Sequence, residues 1–465
     1  MSVLPSPANT SAPQSKGYEA NLDDLLLRFA VGPGRQLNIN TAPLQAQAIQ
    51  TSETPEDFQQ EFGQIYSRTD FSGGSGLDKA HKRDAGESAF TRFWDSKGVD
   101  VFSGKEVGQE YKVSLLKGTE ELSSSTNTNL YMEEMGCSIF FADSDVLKRI
   151  DTPTATSITV VSETAPSAGN AITGLAVLGT QLYIVANGVI YKRTSAGTYA
   201  THNSTKTFSK IWSMKGRIVA SDTSGDLYQV TSASSPTTMK TLPTGTEWTD
   251  LADGGAVVLG AASDGYIYSF TDESSSLTLK GQTFIEGEVP NAIDAAQGFV
   301  FYGTYQNTAS GKIGRLYRAE ITNANSLYVL INAHLIKQWG DGDTTIDQAP
   351  YKIISTRDSI FTGIKDSATV TNLWRYYLPT GGIARDIEFA EGGIVEGIAV
   401  FSDRLFATVA TGGLYREQTT YVSTGYVITA LADFFTSEKK QWVGCLLYTS
   451  PSPRDLSTSR MPSSA

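Results

Sequence analysis

ITGLAVLGTQLYIVANGVIY, residues 172–191, is the stretch on which the fold turns. Two short apolar runs flank a Gly turn, and a second turn at Asn187-Gly188 leads into Ile190-Tyr191. Period-two runs of a few residues punctuated by glycine mark antiparallel strands. Asn-Gly between such runs is a strong hairpin signal, because both central residues of that turn need φ > 0. The unit recurs. Residues 208–228 read FSKIWSMKGRIVASDTSGDLY, and residues 248–268 read WTDLADGGAVVLGAASDGYIY. Residues 292–317, AIDAAQGFVFYGTYQNTASGKIGRLY, carry a longer second turn. Looser copies lie at 353–374 and 395–415, and a degraded first copy at 130–148.

Aligned on the closing residue, the copies end at Lys148, Tyr191, Tyr228, Tyr268, Tyr317, Trp374 and Tyr415, at intervals of 43, 37, 40, 49, 57 and 41 residues. Several strands per period of about 40–50 residues is the signature of a β-propeller blade. A single small sheet cannot bury both faces, whereas radial stacking covers them and leaves only short edges. The expected fold is therefore all-β, a β-propeller of seven blades (six or eight remaining open) with an irregular N-terminal extension. A β-sandwich with coincidental strand spacing is the competing architecture. Leu182, Ile184, Ile218, Val257, Phe299, Ile360 and Leu405 share the second-strand position and are expected in the core. The recurring aromatic reads as packing between blades, with a row of ligand-stacking rings as the sharper alternative.

Charge and composition narrow the function. The 465 residues carry 37 Lys and Arg against 49 Asp and Glu, a net charge of −12, which argues against a general nucleic-acid binder. No run of apolar residues is long enough for a membrane-spanning helix. The first residues, MSVLPSPANTSAPQSKGYEA, lack the basic and apolar regions of a secretory signal. Of two cysteines, Cys137 and Cys445, the second lies in a segment that itself reads as non-native, so no internal disulfide and a reducing folding compartment are expected.

Five segments follow in order. Residues 1–20 form a Pro/Ser/Thr-rich lead-in expected to be disordered. Residues 21–105 are an extension with one short helix at 21–30 (NLDDLLLRFA) and loops. Within it, Phe90, Phe93 and Trp94 read as an aromatic knot. Residues 106–420 are the propeller, and the strand at 111–116 (YKVSLL) is expected to close the ring or form the outer strand of a partial blade, since pairing removes an open edge. Residues 421–444 lose the Gly-turn pattern, end in Lys439-Lys440-Gln-Trp442, and read as the start of a truncated second β-domain. Residues 445–465 are set apart. CLLYTSPSPRD (445–455) and SRMPSSA (459–465) resemble, in one frame and in the right order, translated ends of a short-read sequencing adapter. The expectation is a non-native adapter-derived tail on an environmental fragment.

Chemistry-bearing motifs are sparse. His81, His202 and His334 stand in unlike contexts, without H-E-x-x-H spacing or a Cys/His ligand set. The Gly run at 72–76 with Lys79, Lys82 and Arg83 lacks the spacing of a phosphate loop and reads as a loop laid across the propeller or a neighbouring subunit. Asp341, Asp343 and Asp347 miss the twelve-residue calcium-loop pattern and read as a solvated turn. Asp250, Glu286, Asp294 and Glu396 fall near innermost strands, where a converging pair would be needed for glycoside chemistry. No catalytic, cofactor-binding or metal residues are assigned, and no cofactor is expected.

DFSGG (70–74) and RFWDSKGVDVF (92–102) ahead of a propeller resemble segments of uncharacterised virion proteins of tailed bacteriophages, in particular tail and tail-tip proteins. The resemblance implies a structural protein that uses its propeller as a docking or binding platform in a virion, with other virion proteins and a host-surface glycan as partners, and no nucleic acid. It implies no enzyme. A propeller hydrolase acting on polysaccharide, sialidase-like or a depolymerase, is the alternative, and a lectin-like or scaffold module the third.

Overall fold

The structure, a computed structural model, describes residues 70–76, 91–103, 113–231, 235–273 and 276–428 in full. It also gives the backbone of Gly17–Leu22, Leu25–Val31, Leu37–Pro43 and Gln64–Tyr66. Those four strands pair in order as one antiparallel sheet. The helix expected at 21–30 is thus replaced by a hairpin. Leu25, Leu27, Phe29 and Val31 alternate with period two, which suits a strand and not a helix face. The lead-in expected to run to residue 20 likewise gives way to strand at Gly17.

From residue 117 onward the chain builds a β-propeller. Five four-stranded antiparallel sheets follow in sequence: blade 1 (132–162), blade 2 (172–203), blade 3 (208–241), blade 4 (248–284) and blade 5 (289–339). A closing blade combines Val395–Phe401, Arg404–Val409 and Gly413–Tyr421 with Lys117–Ser124 from the start of the ring. Between blade 5 and the closing blade stands a broad six-stranded sheet. Successive inner strands pack side by side, and that of the closing blade returns to that of blade 1.

The count expected from the repeat is corrected accordingly. Six blades are four-stranded. The copy at 353–374 lies in the six-stranded sheet, because Gly74–Ser75 and Arg92–Phe93 add in parallel beyond Gly382–Phe389. The closing strand is also displaced from the expected one. Lys117–Ser124, not 111–116, pairs with Gly413–Tyr421, while Ser114–Leu115 pairs with Val99–Asp100.

The hairpin logic of the repeat is visible in the backbone. Asn187 and Gly188 both take positive φ, 51° and 73°. Leu182, Ile184, Ile218, Val257, Ile360 and Leu405 are buried as expected, and Phe299 only in part. The recurring aromatic packs against a neighbouring ring: Tyr228 on Phe208, Tyr268 on Trp248, Tyr317 on Tyr302, Trp374 on Trp339 and Tyr415 on Phe389. Its hydroxyl is used too. Tyr228 shares its one hydroxyl proton between Asp222 and Asp226, each at 2.9 Å, and Tyr268 donates to Asp264, so the ring stiffens the turn before it. Core clusters straddle the junctions between sheets. Leu227 and Leu242 of blade 3 meet Trp248 and Phe270 of blade 4. Phe301 and Trp339 of blade 5 meet Ile360 and Trp374 of the broad sheet.

The two quoted motifs form a clamp on the broad sheet. Phe71, Phe93, Val99, Val101 and Phe102 bury together with Ala384 and Val427. A Cβ on Gly382 would lie 2.2 Å from the Ser72 carbonyl oxygen, so glycine alone permits this approach. Phe102 stacks on Tyr377 and Arg375 pairs with Asp100. The aromatic knot is corrected in one member: Phe93 is fully buried, Trp94 is 42% exposed, and Phe90 lies outside the described residues. Tyr426–Ile428 pairs with Asp95–Lys97, so the first residues after the ring join the N-terminal clamp. Residues 429–465, with the basic-aromatic end and the adapter-like tail, lie outside the described residues.

Candidate functional site

The inner strands carry the ionisable groups that the sequence singled out, and three of the four acids prove to be fasteners between neighbouring sheets. Asp250 is 5% exposed on the inner strand of blade 4, Trp248–Asp253. Its carboxylate accepts its neighbour Leu251 N at 3.0 Å, Trp212 Nε1 of blade 3 at 3.2 Å and Ile293 N of blade 5 at 3.3 Å. Asp294 of blade 5 accepts Ala295 N at 2.8 Å and Ser355 N of the broad sheet at 2.5 Å. Glu396 of the closing blade accepts the amide of Leu130, ahead of blade 1, at 2.6 Å. Glu286 stands apart, exposed between blades 4 and 5.

Neutral and basic groups repeat the pattern at the same junctions. Lys210 Nζ donates to the Trp248 carbonyl at 3.0 Å, Thr249 to Pro290 at 3.0 Å and Asn291 to Pro350 at 2.9 Å. Antiparallel blades leave the edge of each inner strand without a ladder partner. A buried backbone group must find some partner, and side chains from the adjacent blade supply it.

Lys352 lies just before the inner strand Ile353–Ser355. Its ammonium is 3.8 Å from Asp250, and the field of Asp250 holds its pKa above the ordinary value despite burial, with Glu133 and Asp294 adding to it. Glu133, on the inner strand Met132–Met135, feels the field of this group; burial pushes its carboxyl up to about 7 against the pull of Lys352. Burial likewise lifts Asp294, and brings Glu396 to about 7. Three acids, from blades 1, 4 and 5, thus act on one lysine, Asp250 in direct reach of it and Glu133 and Asp294 through their fields. Sequence reasoning found Asp250 and Asp294 by strand position and missed Glu133 and Lys352, because the degraded first repeat and the irregular lead into the broad sheet hide their alignment.

The other flagged groups do not converge. His202 stacks edge-on to Tyr183 in blade 2, and His334 sits on the outer strand of blade 5. His81, Lys79, Lys82 and Arg83 lie outside the described residues. Asp341 accepts Asp343 N in a local turn, whereas Asp347 accepts Tyr351 Oη and pairs with Lys312 at 2.9 Å. Among the described residues no group of three or more His, Cys, Asp and Glu is arranged to hold a metal. No helix there is long and apolar enough to cross a membrane.

On the face formed by the second hairpin turns and the inter-blade loops, a cleft of about 660 Å³ opens between blade 5 and the broad sheet. Its lining includes Asn307, Ser310, Lys312, Thr345, Asp347 and Lys365. A second cleft, of about 470 Å³, lies at the seam and is lined by Glu121, Asp143 and Glu391 among others.

No family profile and no curated protein matches the chain. Solved structures resemble it at low identity. A chain of a mitotic checkpoint complex is 10% identical over 68% of this chain and 99% of its own length, with a TM-score of 0.46. The β-propeller domain of Cps50 (Swd1) from Myceliophteria thermophila is 12% identical over 65% of this chain and 99% of that domain, with a TM-score of 0.47. YCF48, solved with a D1 peptide, is 11% identical over 66% of this chain and 98% of its own, with a TM-score of 0.44. These are likenesses of fold.

Proposed function

We propose that the chain is a structural protein of a tailed-phage virion whose propeller is a rigid platform on which other virion proteins dock. One observation carries this reading. The inner-strand carboxylates, the residues an enzyme of this fold would draw on, are committed to amides of the next sheet: Asp250 to Ile293, Asp294 to Ser355 and Glu396 to Leu130. A carboxylate pinned by an amide across a sheet junction loses the freedom to reach a substrate that proton transfer needs, while a ring fastened at successive junctions holds its loop face still. The likeness of DFSGG and RFWDSKGVDVF to phage virion segments supports the setting. Density-purified virions of the encoding phage, analysed by quantitative mass spectrometry, should contain peptides of 113–428 in fixed ratio to a major tail protein. Their absence overturns the proposal.

A polysaccharide hydrolase is the second reading, and Glu133 is the observation that favours it. Its carboxyl, raised to about 7 by burial, lies within the field of the Asp250–Lys352 pair, and a carboxyl that stays protonated near neutrality is what acid-assisted glycoside cleavage requires. Reducing-end release from capsular polysaccharide that disappears in Glu133→Gln would establish it.

A further inference from the structure

We infer that the cleft between blade 5 and the broad sheet is a binding subsite for an acidic sugar residue within a glycan chain. The inference stands independently of the docking proposal.

The cleft is preformed. Its walls are the second hairpin turn of blade 5 (307–312), the connection at 344–348 and the corresponding turn of the broad sheet (365–370). Lys312 N donates to the Ile346 carbonyl at 3.0 Å and Gln348 N to the Lys312 carbonyl at 3.1 Å. Thr308 Oγ1 bonds Thr344 O at 3.0 Å and receives Gly311 N at 2.9 Å. A Cβ on Gly311 would sit 2.6 Å from the Ile346 carbonyl oxygen, so these loops close together only with glycine there. Lys312 is held by Asp347 at 2.9 Å and lies over the rings of Tyr305 and Tyr351, at 4.5 and 5.0 Å from their centroids. Binding would therefore require little loop ordering.

The volume, about 660 Å³, falls within the usual range for small-ligand sites. Its charge selects the ligand. Lys312 and Asp347 cancel each other. Lys365 forms no ion pair among the described residues, and its neighbour Asp366 is committed to Arg385 at 3.2 Å and to Asn372. One uncompensated ammonium thus marks this cleft on a chain of net charge −12. The same cleft is lined by Asn307, Ser310 and Thr345, whose side chains can each donate and accept and make no hydrogen bonds among themselves. A polyhydroxylated ligand with a single carboxylate fits that set; a flat apolar ligand does not. The cleft opens on the loop face, so a sugar seated there leaves part of its surface toward solvent, where a chain can continue.

Calorimetric titration of the full chain with oligogalacturonate, neutral cellobiose and inorganic phosphate tests this. Saturable binding of oligogalacturonate is expected, with cellobiose at least about tenfold weaker, the loss of one charge-assisted hydrogen bond. Lys365→Ala should weaken the acidic oligomer at least about tenfold, and Lys365→Arg should retain most of the affinity. Lys192→Ala, in blade 2, should leave it unchanged. Absence of saturable uronate binding, equal binding of cellobiose, or full affinity in Lys365→Ala overturns the assignment. Phosphate binding as tight as that of the oligomer does so as well, since the site then reads only a charge.

Discussion

Glu396 accepts the backbone amide of Leu130 at 2.6 Å across 266 positions of sequence. Thr408 Oγ1, on the adjacent strand, donates to the carbonyl of the same leucine. Leu130 is fully buried, and both of its backbone polar groups are thus satisfied by side chains of the closing blade. This is the seam of the ring. Glu396→Ala leaves a buried N–H unpaired and is expected to cost about 1–3 kcal/mol. Glu396→Gln keeps an acceptor and should cost less. Denaturant unfolding monitored by tryptophan fluorescence reads both. Equal stability of Glu396→Ala and the parent would mean that this contact does not hold the seam.

The closing strand makes a larger prediction. Arg416 is 5% exposed, pairs with Glu120 of the closing strand, and donates to the carbonyls of Ala155 at 2.7 Å and Thr156 at 3.0 Å. Arg416→Ala should lose about 3 kcal/mol, the lower end for a broken buried pair because Glu120 keeps access to water. Deletion of 117–124 exposes the edge of Gly413–Tyr421 and should broaden the thermal transition into several steps. A single sharp calorimetric transition in the deletion variant would contradict the closure.

Glu163 is a comparable centre on the rim. It is 7% exposed, between blades 1 and 2, and receives Arg149 at 2.8 Å, Arg193 at 2.6 and 2.9 Å, Gly197 N at 3.0 Å and Tyr199 Oη at 3.2 Å. These donors hold its pKa below the ordinary value although burial opposes them. Glu163→Ala strands the Arg193 guanidinium, while Arg149 keeps Asp151 at 3.0 Å, and should destabilise by about 3 kcal/mol. Protease susceptibility near residues 149–199 should rise first.

Protonation near neutrality should also be measurable. Glu133 and Glu396 are lifted from 4.5 to about 7, and Asp386 from 3.8 to about 6, in each case chiefly by burial. The folded chain thus holds protons that the unfolded chain releases. The stability these groups contribute is complete below the ordinary carboxylate range and is lost as pH rises through 6 to 7. Asp143 and Glu163 are lowered, by the hydrogen bonds of Lys148 and Arg193 respectively, and work the other way: their contribution is lost as pH falls through their depressed values. The melting temperature should therefore be higher at mildly acidic pH than at slightly alkaline pH. Glu133→Gln should flatten that difference by about 1–2 kcal/mol. A profile rising steadily to alkaline pH would refute it.

The hairpins are legible because their chemistry is local. Asn187-Gly188 needs only its own two residues to demand positive φ, and Asp264-Gly265 before Tyr268 announces its turn within five positions. The closing strand is harder. KGTEELSS lies at a ring edge, carries no alternation, and so reads as a loop; the more apolar YKVSLL just before it is the more strand-like of the two. LLLRFAV passes for helix because its leucines also satisfy helical propensity, while the pairing that decides the matter comes from its neighbours. Inner-strand position marks Asp250 and Asp294. That they bond amides of the next sheet depends on how far each blade is rotated from the last, and no single repeat encodes that. The Lys365 cleft is beyond reach for a similar reason: its three walls come from separate loops that share no motif.

The pairing of Asp95–Lys97 with Tyr426–Ile428 brings the flanks of the ring to one point. Asp95 sits opposite Ile428, and Trp94 N also donates to the Ile428 carbonyl at 2.8 Å. Tension applied between the two flanks would thus meet a short zipper before it meets the propeller. The zipper would open pair by pair, and the disc would carry load only once the last pair had let go. A platform mounted this way can stay in register while the chain around it is pulled.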